Sequence, residues 1–222
     1  MDIKKSVNLL INFAIKRLAE IFGIVIFASG ILIIIALLTY NPDDPNFIFP
    51  NNNPIKNILG YRGSFTSDLF FQSLGLVSYL FSITLIITGI NICRVKDFFL
   101  VLENLFFTII YSLIGTFFFT HFYPKSFNLY TNGNGGFVGI YLDQTFLNTL
   151  ISTNELIFYY ILIFIIFSLF LKSINFNPKR FYKIIKKITK FFNKKETKNY
   201  TDESEIINEY IPQEEIKNLI QE

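Results

Sequence analysis

The sequence predicts an all-α integral membrane fold: four transmembrane helices, both termini cytoplasmic, and amphipathic helices flanking the membrane region. Three observations carry this. Apolar residues make up 51% of the 222-residue chain and charged residues 17%, against about 25% charged in an ordinary soluble domain. The apolar residues come in long blocks without a charge. The basic residues are sorted into one set of connecting segments. Such a composition excludes a disordered chain and argues against a free cytosolic enzyme. A single cysteine, Cys93, leaves no internal disulfide framework and no Cys-based zinc site, and a single histidine, His121, leaves no His cluster. No catalytic residue, metal or cofactor is expected.

Charge locates the spans, because a charged side chain at the bilayer centre costs about 2.5–3.5 kcal/mol on insertion scales. About 20 helical residues cross a hydrocarbon core about 30 Å thick. The spans are predicted at about 20–40, 69–92, 100–122 and 150–171, within a transmembrane domain of residues 21–171. The first is too long for the 7–15-residue apolar region of a signal peptide, and no small-residue cleavage site precedes Tyr40, so it reads as an uncleaved anchor. The fourth is free of charge only from Leu156, so starting near Leu150 leaves Glu155 about one turn inside an interface, where it can snorkel. In a chain without Trp, Tyr40 and Tyr123 are placed to serve as interfacial aromatics.

Orientation follows from Lys and Arg. Residues 1–20, the turn at Arg94 and Lys96, and residues 172–198 hold 16 of the 20 basic residues. The outer loops, 41–68 and 123–149, hold Lys56, Arg62 and Lys125. Both termini are therefore expected in the cytoplasm.

The flanks are amphipathic. In residues 1–20, Ile3, Val7, Leu10, Ile11, Ala14 and Leu18 recur at helical spacing. In the juxtamembrane segment 172–198, Phe181, Ile184, Ile185, Ile188, Phe191 and Phe192 form one face. Arg180, Lys183, Lys186, Lys187 and Lys190 form the other, and Pro178 marks the helix start. Such a helix is expected to lie on an anionic leaflet, each basic residue contributing about 1 kcal/mol. Direct nucleic-acid contact is not expected, since the aromatics follow the helix period instead of forming a stacking platform. Residues 199–222 are an acidic linker with a net charge of −6; ending there, the chain reads as the front of something longer or as a truncated gene product.

The loops carry the specific sequence. TYNPDDPNF is a proline-and-aspartate turn after span one, and NILGYRGSFTSDLFF leads into span two with Asp68 expected to cap that helix. TNGNGGFVGIYLDQ, before span four, reads as turn chemistry that seats helices; it lacks the Lys-Ser/Thr of a P-loop. His121 reads as an interfacial polar anchor and Cys93 as a packing residue. Glu103 and Glu155 fall at opposite interfaces, so they form no acid pair. Ala19 with Gly23, and Ser78 with Ser82, are small residues four apart that hint at an oligomeric interface. A transporter or channel subunit would need deeper polar groups than the Ser and Thr of spans one and two, and an intramembrane enzyme would need an acid–base set at depth. A stand-alone membrane scaffold is the other alternative.

In order and placement, these loop motifs resemble the FtsK/SpoIIIE DNA translocases. Thr39-Tyr40-Asn41-Pro42-Asp43-Asp44-Pro45 is similar to the first loop of that family. So are Asn57, Gly60, Gly63 and Asp68 leading into Leu69-Phe70-Phe71 and Gly75, and Gly133-Asn134-Gly135-Gly136 followed by Gly139. The likeness covers about residues 15–175; Ser64-Phe65 stands where the family commonly has Gly-Ala. It implies a four-helix membrane domain, a linker and a RecA-like motor. The chain would then be the anchor of a cell-division and chromosome-segregation translocase in the bacterial inner membrane. It would target and oligomerise that translocase at the septum, with anionic lipids, further copies and division-machinery membrane proteins as partners. No GxxxxGK[ST] occurs in the 222 residues, so the chain as it stands is not expected to be an enzyme.

Overall fold

The computed structural model describes residues 3–45, 53–124 and 132–193. Over these it forms eight helices and no strand. They are α1 Ile3–Leu38, α2 Gly60–Leu74, α3 Val77–Val95, α4 Phe99–Phe122, α5 Gly136–Asp143, α6 Phe146–Ser152, α7 Glu155–Ser173 and α8 Pro178–Asn193. Four are long and apolar enough to cross a membrane: α1 from Val7, α3, α4 and α7. The chain divides into two units between Phe176 and Asn177, and α8 belongs to the second. The expected acidic linker 199–222 lies outside the described residues.

The amphipathic flank and span one form one helix, since no proline interrupts the chain before Pro42. At 1.5 Å per residue α1 extends about 54 Å, longer than the roughly 30 Å needed to cross a bilayer core.

Span two is corrected. Its expected stretch, 69–92, is cut at Gly75, where a φ of 57° ends α2, and the crossing helix begins at Val77. Residues 69–74 belong instead to α2, which buries Ser64, Ser67, Asp68 and Gln72. Span four is also corrected: α6 ends at Ser152, and Asn154 restarts the chain by accepting from the Ile157 and Phe158 N–H groups at 3.1 Å each. Glu155 is therefore the first residue of α7, where a carboxylate complements the positive end of the helix dipole, and not a turn inside a longer helix. Span three matches its expected range to within one residue. The two connections read as turns hold α2, α5 and α6.

α1 and α3 are the most intimately packed pair, and small residues make it so. Ala19 is fully buried, and a Cβ on Gly23 would stand 2.9 Å from the Gly89 carbonyl oxygen and 2.7 Å from Cys93 Sγ. Ser78 and Ser82 are fully buried too, donating to the Phe70 and Ser78 carbonyls at 2.8 and 2.9 Å. All four small residues read as an oligomeric hint are thus used inside the chain. Cys93 packs against α1 as expected, its Sγ 3.5 Å from the Glu20 carbonyl.

Charge marks one end of this pair. Glu20 meets Arg17 at 2.5 Å and Lys96 at 2.6 Å, bringing α1 against the α3–α4 turn. Nearby, polar side chains tie α3, α4 and α7 together. Asn91 donates to the Ile174 carbonyl at 3.0 Å, Asn104 to Thr88 at 2.9 Å, and Asn175 to Asn104 at 2.5 Å. Deeper in, Thr84 pairs with Tyr111 at 2.8 Å. These groups satisfy one another, as buried polar groups in a bilayer must. At the opposite end Phe118, Phe122, Tyr123 and Tyr159 join α4 to α7, with the two tyrosine hydroxyls 2.7 Å apart.

Candidate functional site

The motif residues assemble at the end of the helices remote from Glu20, where they build a polar cap over α1, α3 and α4. A helix leaves its last carbonyls without partners, and in α1 they are met by Asn57, whose Nδ2 donates to the Ala36 and Thr39 carbonyls at 2.9 and 3.2 Å. Asn57 is held in turn by Asp44. That carboxylate, 2% exposed, accepts the Lys56 N–H at 2.9 Å and the Asn57 N–H at 2.8 Å. Around them Pro42 is exposed in the turn, Pro45 is buried and accepts from Ser64 Oγ at 2.9 Å, and Gly63 packs against the Asn57 amide. Gly60 opens α2 from the Asn57 carbonyl at 2.9 Å.

Asp68 is corrected. It was expected to cap span two, but α2 starts eight residues earlier, so the carboxylate sits buried in its third turn. There it accepts from Tyr40 Oη at 3.5 Å and from Gln72 Nε2 at 3.3 Å. Tyr40 also meets the Phe71 ring edge-on at 4.9 Å. Burial pushes the Asp68 carboxyl above the ordinary aspartate value, and the two donated hydrogen bonds only partly oppose it. An acid whose folded-state pKa is raised adds stability below its unfolded value, and that stability is lost as pH rises through the folded value. Thermal unfolding of the wild type is therefore expected to occur at a lower temperature above that window than below it. In Asp68→Asn this step should vanish; a variant that keeps the same pH profile assigns the titration to another group.

The second loop completes the cap. Gly75, at its positive φ, comes so close to the Asn134 backbone that a Cβ would land inside the carbonyl, and Leu76 N–H donates to that same oxygen at 2.8 Å. Asn134 Nδ2 donates to the Tyr123 carbonyl, and Asn132 reaches both the side chain and the carbonyl of Gln72 at 3.2 and 3.3 Å. Gly135 and Gly139 face Thr116 and Thr120 of α4, Gly136 faces Ser73, and Gly133 lies near the Pro124 carbonyl. His121 pairs with Asp143 of α5 at 3.0 Å and stacks on Phe117.

The two loops and the start of α2 that carry the motif residues thus meet in one polar cap. Asn57, at the centre of the cap, is the residue that motif reading underrated; an Asn three residues before a glycine reads only as turn chemistry. Among the described residues no group of three His, Cys, Asp or Glu is placed to hold a metal ion. The carboxylates of the cap engage backbone amides and neighbouring side chains, and the layer holds helix ends together. In the second unit, Lys183, Lys186 and Lys187 are exposed on α8 beside exposed Phe181, Tyr182 and Ile185. The side chains of Arg180 and Lys190 lie outside the described residues.

The chain is similar to proteins named DNA translocase FtsK: 30% identical over 105 residues in Rhizobium meliloti, 31% over 72 in Rickettsia prowazekii, and 34% over 74 in Bradyrhizobium diazoefficiens. These alignments cover 47%, 32% and 33% of this chain and 12%, 10% and 9% of the relatives. The chain thus spans about a tenth of the length of the curated relatives it matches. No solved structure matches it. A family model described as the 4TM region of DNA translocase FtsK/SpoIIIE matches residues 15–176, from the middle of α1 to the end of the first unit, and the chain belongs to that family.

Proposed function

We propose that this four-helix region anchors an FtsK-type DNA translocase in the bacterial inner membrane, with both termini cytoplasmic, and helps it gather at the division septum. The observation that carries the reading is the coincidence of the family match with the first unit: it takes in all four crossing helices and the cap. The division of charge supports the orientation. Glu20, Arg17 and Lys96 cluster at one end of the bundle, and the chain leaves α7 towards its most basic segment at the end that bears the Asn91–Asn104–Asn175 contacts. On this reading α8 rests its apolar face on the anionic leaflet through Lys183, Lys186 and Lys187. Self-association and contacts with membrane proteins of the division machinery complete the role, and DNA and ATP are left to a motor outside these 222 residues.

Topology reporters fused after residue 20 and after Lys172 are expected to signal cytoplasmic, and one at Asn52 to signal the far side. The reverse pattern overturns the orientation. A fluorescent fusion is expected to concentrate at division sites; an even distribution around the envelope rejects the septal role while leaving the membrane fold intact.

A further inference from the structure

A groove of about 350 Å³ runs between α1 and α2 on the flank of the cap. Buried Ala36 and Gly63 line it between the helices, while Leu32, Ile33 and Leu59 form apolar walls. Its α1 side extends from Ser29 to Ala36, about 10 Å along a helix, in a span long enough to cross a bilayer. The one charge on it is Arg62, which is exposed and, among the described residues, makes no ion pair or side-chain hydrogen bond. The other described basic residue of the cap, Lys56, lies 3.9 Å from Asp43. The intervening segment 46–52 contains no carboxylate that could serve Arg62. A mostly apolar cleft with one well-placed polar group is the usual form of a small-ligand site.

We propose that this groove binds an anionic phospholipid of the leaflet on the cap side. One acyl chain lies between Leu32, Ile33 and Leu59, and the phosphate pairs with the Arg62 guanidinium. Guanidinium matches phosphate oxygens with two parallel N–H donors, which an ammonium cannot do. Exposed Tyr61 beside it is an amphipathic ring suited to the same depth. Charge complementarity and the apolar run beneath it favour a lipid over a second copy of this chain, whose helix would carry no phosphate to meet Arg62.

The test places the full chain in phosphatidylcholine nanodiscs containing a trace of phosphatidylglycerol or phosphatidylcholine with a photoreactive acyl tail. Adducts of the phosphatidylglycerol probe are expected on the peptide holding Leu32 and Ile33, about fivefold above those of the phosphatidylcholine probe, the factor one near-surface charge contributes. Arg62→Gln should bring the two probes to parity, Arg62→Lys should keep only part of the preference because its single ammonium cannot pair in two places, and Ser29→Phe should lower labelling by both. Maleimide reactivity of Cys93 reports that each variant is folded. Parity in the wild type, labelling elsewhere, or a preference that survives Arg62→Gln overturns the proposal. So does a disulfide between two copies through Ser29→Cys in a Cys93→Ser background, which would assign the groove to self-association.

Discussion

Replacing Asp44 with Ala is expected to release the cap from the end of α1 and to cost about 2–4 kcal/mol, because two backbone N–H groups lose a charged acceptor at roughly 1–3 kcal/mol each. The loss propagates. Without Asp44 the Asn57 backbone is no longer held, so its side chain stops satisfying the Ala36 and Thr39 carbonyls. Asn57→Leu should approach the same outcome from the other side. Asp43→Ala supplies the contrast: its carboxylate is 73% exposed and 3.9 Å from Lys56, and an exposed pair of this kind contributes about 0–1 kcal/mol. Thermal unfolding in detergent, followed by far-ultraviolet circular dichroism, measures all three. Equal midpoints for the Asp43 and Asp44 variants would remove the carboxylate from the cap's stability.

The second large effect is expected at Gly89. A Cβ there would meet the Phe27 backbone nitrogen at 2.5 Å and the Gly23 carbonyl oxygen at 2.7 Å, and backbone cannot rotate aside as a side chain can. Between helices in lipid there is no hydrophobic drive to offset such a gap, so close packing itself holds the pair. Gly89→Leu should therefore separate α1 from α3 at a cost of about 3 kcal/mol or more, the upper range for overpacking. Gly89→Ala should show part of the same loss. The native thiol reads it directly: Cys93 sits at this contact, half-buried against Gly23, so its maleimide labelling should accelerate in both variants. Ile90→Ala, altering a neighbour whose side chain is already 42% exposed, should leave the labelling rate near that of the wild type. Unchanged rates in Gly89→Leu would show that the crossing has room to spare.

Pro42 and Pro178 show how far local chemistry reaches. One follows the end of α1 and the other opens α8 where the sequence places them, because proline acts through its own φ and its missing N–H. Gly75 shows where local reading stops. Hydropathy runs on from Leu69 through Cys93 without a charge, so a window of any length reports one span. At the break the Asn134 carbonyl, about sixty residues away, accepts the Leu76 N–H and leaves no room for a Cβ on residue 75. Span four breaks similarly: the Thr145 hydroxyl accepts the Leu147 N–H where α6 begins and the Asn154 carbonyl accepts two N–H groups where α7 begins, and in an apolar stretch such short polar residues carry little weight in a hydropathy sum.

Asp43 and Asp44 are the same residue type in adjacent positions, yet one is solvated and the other nearly sealed. The resemblance to known loops took in both; neither composition nor spacing separates them. Ala19, Gly23, Ser78 and Ser82 could equally have served contacts within the chain or between chains, since a small residue says only that something comes close.

By itself the sequence determined that the chain is all-helical, crosses the membrane four times, sorts its basic residues into three segments and carries family motifs in its loops. These are properties of single residues and short runs, set by transfer cost, helical period and turn chemistry. Only the tertiary structure decided where spans two and four begin, which small residues meet, and that Asn57 and Asp44 close the end of α1. Those depend on which carbonyls and amides remain unpaired once the helices have packed, and the partners lie too far apart along the chain for any local pattern to match them.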